Sequence, residues 1–285
     1  MDGTRQAARQ RALPRTSDLP AAHRCFEEVC APGYVGHKRG EVVRTRTTML
    51  HAHTHQWLGT FSGAGNGDYR GDLLRAGEAI QAYLTAQHVP FSQAVVRLDR
   101  QYGNGAMVED LAVLGLGYVM QGKDYDLLDV PQVQARLAQP PDQQTTHPET
   151  GTCRALFDCP DVPLTATGTR SRVIVATHPA TATASPIGTT RDEVVYELFF
   201  TILPQGAFTP TDIVALYLHR GAFETVLCDE DKEQDPDRWC SHTPCGKAGL
   251  ANPQPMDVEP APGTGASPPS DAHAHDLIRS YPGAV

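Results

Sequence analysis

Between residues 70 and 121 the spacing of apolar side chains changes from helical to strand-like twice, and this alternation narrows the folds open to the chain. Leu73, Ala76, Ile80, Tyr83 and Leu84 share one helical face, so residues 70–87 predict an amphipathic helix. Ala94-Val95-Val96-Arg97-Leu98-Asp99 is too short for a helix and reads as a buried strand ending on a carboxylate. A glycine-containing turn follows, then a helix with Val108, Leu111 and Leu114 on one side and a second short strand from Leu116 to Gln121. Strand, helix, strand, helix, strand is the grammar of an α/β sheet with crossover helices, whose chemistry sits at the carboxyl ends of strands. Asp99 occupies such an end.

The flanking segments extend this pattern. Glu41 to Phe61, rich in Val, Thr, Met, Leu, Trp and Phe, predicts two strands, and the first 35 or so residues, with Pro14, Pro20 and Pro32, predict loop with at most short helices. Residues 124–152 read as loop or short helix. Strands are expected at Arg154–Phe157, Ser171–Ala176 and Glu193–Leu203, a β-rich insertion spanning about 124–205. Thr209-Pro210-Thr211-Asp212 predicts a helix start, with threonine as cap, proline at the first helical position and aspartate three residues after the cap. The last 40 residues hold seven prolines and five glycines, so 247–285 is expected to be a disordered tail after a domain spanning 1–246.

Composition removes several functional classes. The longest apolar stretch, Leu111 to Met120, is half of what a membrane-spanning helix needs, and no basic-then-apolar leader opens the sequence. Seven cysteines without a disulfide-scaffold spacing predict reduced thiols and a cytoplasmic location. The net charge of −9 argues against a uniformly basic coat. Residues 1–50 nevertheless carry nine Lys/Arg against five acids, which predicts a local basic surface including Arg5, Arg9, Lys38, Arg39, Arg44 and Arg46. Asp229–Asp237, with six acids and one lysine, reads as a solvated helix end.

Three carboxylates stand out by position: Asp2, followed by Gly-Thr; Asp99, at a strand end; and Glu224, on a predicted helix with Tyr217 and Arg220. Positions 217, 220 and 224 place phenol, guanidinium and carboxylate on one helical face. Such a face suits a metal-assisted phosphodiester site, with carboxylates holding divalent ions and the arginine clamping a phosphate. On spacing alone an ordinary solvated Arg220–Glu224 ion pair is the stronger reading of that face.

The opening DGTRQAARQRALP, the stretch GYVGHKRGEVVRTRTTML, the strand VVRLDRQYG and the segment YLHRGAFETVLCDEDKEQDPDRWCSHTPCG together resemble the DDE transposases of bacterial insertion sequences, the IS-four-like group. The resemblance covers about residues 1–246. It implies an RNase H-like α/β fold, a mixed sheet with flanking helices and a β-rich insertion before the last catalytic helix. Asp2, Asp99 and Glu224 match the catalytic, metal-holding triad, and Tyr217 and Arg220 match the DNA-contacting tyrosine and arginine of the family's Y-x2-R-x3-E-x6-K signature. The lysine slot departs, because Asp231 stands six residues after Glu224 and Lys232 one step later.

The implied activity is two-metal phosphoryl transfer with Mg2+, for which Mn2+ can substitute, on double-stranded transposon-end and target DNA. A homodimer on DNA is compatible with it. Only Met1 precedes Asp2, and a proline-rich tail follows Gly246, so the chain reads as a family fragment truncated at both ends with impaired activity. The alternative is a non-catalytic remnant that binds DNA at most.

Other constellations compete. Cys228, Cys240, His242 and Cys245 offer four soft ligands for zinc, but at a spacing unlike the common fingers. His51, His53 and His55 would share one face of a strand, as chelating or as structural histidines. Cys153 and Cys159 bracket a short strand as thiols. The GAGNGD loop lacks the Lys-Ser/Thr of a nucleotide-phosphate loop.

Overall fold

The structure, a computed structural model, describes residues 2–7, 31–34, 39–54, 56–146, 151–180 and 188–219, with backbone alone for 2–7, 34 and 39–42. It is a mixed α/β fold with four α-helices among the described residues. Strands β1 (Asp2–Ala7), β2 (Ala31–Tyr34), β3 (Arg39–Leu50) and β4 (Trp57–Ala64) form one antiparallel sheet built around β3. Helix α1 (Tyr69–Ala86), strand β5 (Val95–Leu98), helix α2 (Gly105–Leu114) and strand β6 (Gly117–Gly122) follow as the alternating apolar periods predict. β5 and β6 run parallel, Val95 opposite Gly117 and Leu98 opposite Met120.

Local chemistry sets the helix ends. The Asp68 side chain caps α1 by accepting from the Gly71 amide, and Asn104 caps α2 by accepting from Met107. Gly115 ends α2 at φ 68°, a left-handed backbone that glycine adopts without steric cost. Arg70 then ties α1 to α2 with a two-armed grip on Asp110, at 2.7 and 2.9 Å. Thr209 and Asp212 form the reciprocal capping box expected at the start of α4 (Pro210–Leu218).

The β-rich stretch contains more order than its sequence suggests. A helix α3 (Pro131–Leu137) and a strand β7 (Gln143–Thr146) occupy the region read as loop or short helix, and β8 (Cys153–Pro163), β9 (Arg170–Pro179), β10 (Thr189–Arg191) and β11 (Val194–Thr201) follow. β11 pairs antiparallel with β6, so the insertion continues the α/β sheet in the order β5-β6-β11-β9-β8-β7. Its central strands are apolar on both faces, as strands covered on both sides must be. Tyr118, Met120, Val173, Val175, Leu198 and Phe200 join the core with α1 and α2, whereas Val119, Ile174, Ala176 and Phe199 pack with Ile213, Val214 and Tyr217 of α4.

The amino-terminal region departs from expectation. Residues 2–7 and 31–34, read as loop from composition, are strands, and β1 pairs with β3 from Asp2 opposite Thr48 to Ala7 opposite Val43. Among the described residues β1 pairs on one side only, with β3, and no strand pair joins the two sheets. The physical reason lies in DGTRQA itself, which lacks the apolar run that two-sided burial in a parallel sheet requires. No helix among the described residues is long and apolar enough to cross a membrane.

Candidate functional site

Asp99 lies at the carboxyl end of β5, half-buried, where the chain turns into the short 3-10 segment Arg100–Tyr102. Its Oδ1 accepts the Gln101 amide at 2.8 Å, so the carboxylate is held by the turn that follows it. Tyr102 is fully buried beneath that turn and meets Tyr69 edge-on, with ring centroids 6.1 Å apart. The turn is pinned to β6 as well: Lys123 donates its amide to Gly103 O and its Nζ to Gln101 O, both at 2.8 Å.

Asp2 is placed by register, opposite Thr48 on β3, with Gly3 opposite Thr47. Its side chain lies outside the described residues, as do Arg220, Glu224 and Lys232 in full. Asp99 is therefore the one member of the acid triad whose surroundings are described. A carboxylate at a strand end is the hard oxygen donor that Mg2+ takes. Among the described residues no three of His, Cys, Asp and Glu converge as a metal cluster.

Tyr217, which the resemblance matches to a DNA contact, is 9% exposed; its ring packs edge-on against Phe199 at 5.3 Å and its hydroxyl reaches Gln121 Oε1 at 3.1 Å. The underside of a helix laid on a sheet is apolar by necessity, and Tyr217 shares that side with Ile213 and Val214. The basic patch also shrinks. Arg44 and Arg46, counted as surface cations, lie buried in β3 between its neighbours β1 and β4.

His51 and His53 lie in the turn between β3 and β4 rather than on a strand. Their rings are 5.7 Å apart and His51 Nδ1 pairs with Thr54; His55 is outside the described residues. Burial lowers the His51 pKa, which favours a neutral ring. Cys153 is exposed and Cys159 buried on the single strand β8, and burial pushes the Cys159 thiol up to about 12. Cys228, Cys240, His242, Cys245 and the tail 247–285 lie outside the described residues.

Two further acids escaped the sequence reading. Asp124 follows β6 as Asp99 follows β5, accepts the Gly105 amide at 3.3 Å, and has its pKa raised by burial. Its place just after a strand was the available signal. Asp72, 1% exposed in the first turn of α1, accepts from Thr47 Oγ1 at 2.6 Å and from Arg75. An acid on the apolar side of a helix was its signal, at the position before Leu73.

No protein-family model matches the sequence, and no curated protein matches it.

Proposed function

We propose that the chain is the RNase H-like catalytic domain of a DDE transposase of the insertion-sequence type, acting on double-stranded DNA with Mg2+. The observation that supports this reading most is the setting of Asp99. It ends β5, which runs parallel to β6 across helix α2 and follows a β-hairpin and an amphipathic helix. In that order of elements a carboxylate at the end of β5 is where a metal-assisted site belongs. Asp2 on β1 and Glu224 are the other two acids of the proposed triad, Arg220 its phosphate clamp and Lys232 a DNA contact; Tyr217 acts as a core residue beneath α4.

Two Mg2+ ions, when bound, would supply an activated water or 3′-hydroxyl and offset the charge of the phosphoryl group in flight. The protein's part is to hold carboxylate oxygens in fixed positions and to keep DNA in register through its remaining cations.

The test pairs metal binding with DNA binding in the full chain. Mn2+ bound to the wild type, read by electron paramagnetic resonance, should be largely lost in Asp99→Asn, and duplex DNA binding should weaken steeply as salt rises. Mn2+ binding indifferent to Asp99→Asn would remove the catalytic reading. Salt-sensitive DNA binding alone would leave the non-catalytic DNA-binding protein. Failure of both would remove the transposase assignment.

A further inference from the structure

Gln121 stands beside Asp99 on the side of the sheet that α4 covers. β5 and β6 run parallel with Leu98 opposite Met120, so the next residues, Asp99 and Gln121, are neighbours across the two strands, with Cα atoms about 4.8 Å apart. Alternation fixes the face. Leu98 and Met120 join the core with α1 and α2, whereas Val95 and Val119 pack with α4 and the Arg97 guanidinium reaches Leu216 O of that helix. Asp99 is still extended, at φ −71° and ψ 173°, so it keeps the alternation and shares the α4 side with Gln121.

The Gln121 side chain is nearly buried, at 2% exposure, and one end of it is anchored. Its Oε1 accepts the Tyr217 hydroxyl, and the tyrosine ring rests on Phe199, the residue across from Gln121 on β11. Oε1 is thus engaged on the side of β11, which leaves the amide nitrogen for the side of β5 and Asp99. Among the described residues that nitrogen has no hydrogen-bond partner. Two unused N–H groups are costly to enclose beneath a helix unless a ligand supplies the acceptor. An amide nitrogen only donates, so the partner it fits is an anionic oxygen and not a metal ion.

We infer that Gln121 is a substrate-contacting residue, whose Nε2 donates to a non-bridging oxygen of the phosphodiester bound at Asp99. The inference rests on the catalytic reading of Asp99 above. It supplies what charge alone does not: Asp99, through its metal ion, holds the phosphate at one oxygen, and Gln121 holds it at a second. Two attachments stop the tetrahedral group from turning, and orientation of this kind is a large part of what a phosphoryl-transfer site provides. Tyr217 serves the contact only by keeping the amide turned the right way.

The experiment uses the full chain, Mn2+ and the dinucleotide dTpdT, which carries a single phosphodiester. Duplex affinity is dominated by cations and is too coarse to read one neutral donor. Mn2+ binding is followed by electron paramagnetic resonance, and dTpdT binding by the broadening of its phosphorus resonance near bound Mn2+. Gln121→Met, close in shape, removes both N–H groups and should weaken dTpdT binding about tenfold at saturating Mn2+. Gln121→Glu keeps an acceptor for the Tyr217 hydroxyl and adds a carboxylate next to Asp99, so Mn2+ should bind about tenfold tighter while dTpdT binding is lost. Wild-type dTpdT affinity in folded Gln121→Met, with Mn2+ binding still lost in Asp99→Asn, overturns the contact alone, and so does a wild type that leaves the dTpdT resonance sharp. Should Gln121→Met fail to fold, Gln121→Glu decides: unchanged Mn2+ affinity there means that the side chain is not beside Asp99. Mn2+ binding that ignores Asp99→Asn overturns the catalytic reading and the contact with it.

Discussion

Arg172 grips Asp158 with both arms of its guanidinium, Nε to Oδ1 at 3.0 Å and Nη2 to Oδ2 at 2.7 Å, where β8 and β9 lie side by side. Both side chains are buried, at 6% and 9% exposure. The same guanidinium donates to Leu203 O at 2.9 Å and Phe208 O at 2.8 Å, so it also fastens the connection from β11 to α4. Four hydrogen bonds compensate a charge that would otherwise be stranded away from water.

Arg172→Met is therefore expected to destabilise the protein by about 3–5 kcal/mol, because it leaves Asp158 charged, buried and unpaired. The double variant Arg172→Met/Asp158→Leu should recover most of that loss, since an apolar pair of similar volume removes the stranded charge. Urea unfolding of both variants checks this. Equal stabilities would mean that the grip on the β11–α4 connection, not the charge, dominates.

The parts of this fold that a sequence makes legible are those decided within about ten residues of chain. Thr209-Pro210-Thr211-Asp212 carries its capping box in its own spacing, and the helical face of α1 follows from Leu73, Ala76, Ile80 and Leu84 alone. β1 and β2 were invisible because their sequences, DGTRQA and APGY, have no apolar alternation; pairing with the long strand β3 makes them strands. The junction of β6 with β11 joins Met120 to Phe200, a contact no local pattern announces. Burial of Arg44, Arg46 and Tyr217 likewise depends on what lies across from them. At the candidate site, Asp99 was legible from the end of its apolar run, whereas Asp72 and Tyr102 matter through partners on other elements.

Tyr217→Phe separates a core role from a DNA-contact role. The ring keeps its packing on Phe199, and the hydroxyl bond to Gln121 is lost. The expected cost is about 1 kcal/mol of stability, with DNA affinity and its salt slope unchanged. A variant as stable as wild type that binds DNA more weakly would return Tyr217 to the DNA interface.

Glu109 of α2 gives the turn between β8 and β9 a dependence on pH. Its Oε1 accepts the hydroxyls of Thr167, Thr169 at 2.8 Å and Thr165 at 3.1 Å, and these bonds, Thr167 first, hold its pKa below the ordinary glutamate value. A depressed carboxylate contributes stability above its unfolded-state pKa and loses it as pH falls through the folded value. The tether should therefore hold at neutral pH and release as pH falls through that lowered value, beneath the ordinary glutamate range. Amide exchange of residues 164–169, corrected for intrinsic rates, should speed up in that window in the wild type. In Glu109→Gln the acid-induced step should disappear.

Gly103→Ala tests how rigidly the turn after Asp99 is held. The glycine is needed for space, since its φ of −76° is open to any residue. A Cβ there would stand 1.8 Å from the Gln121 carbonyl oxygen and 2.9 Å from the Gly122 Cα. Both obstacles are backbone of β6, a strand held by β5 on one side and β11 on the other, so the turn must move and not the strand. Moving it strains the Lys123 amide bond to Gly103 and lifts Tyr102 from its buried seat. Overpacking of this kind costs about 3 kcal/mol or more. Gly206→Ala, where a Cβ meets nothing within 4 Å, is the control and should stay within about 0.5 kcal/mol of wild type. Because Asp99 is held by the same turn, the Mn2+ response should fall with the stability in Gly103→Ala and persist in Gly206→Ala. Equal urea midpoints for the two variants would show that β6 and the turn can part without cost, and that Asp99 is fixed by something other than the turn.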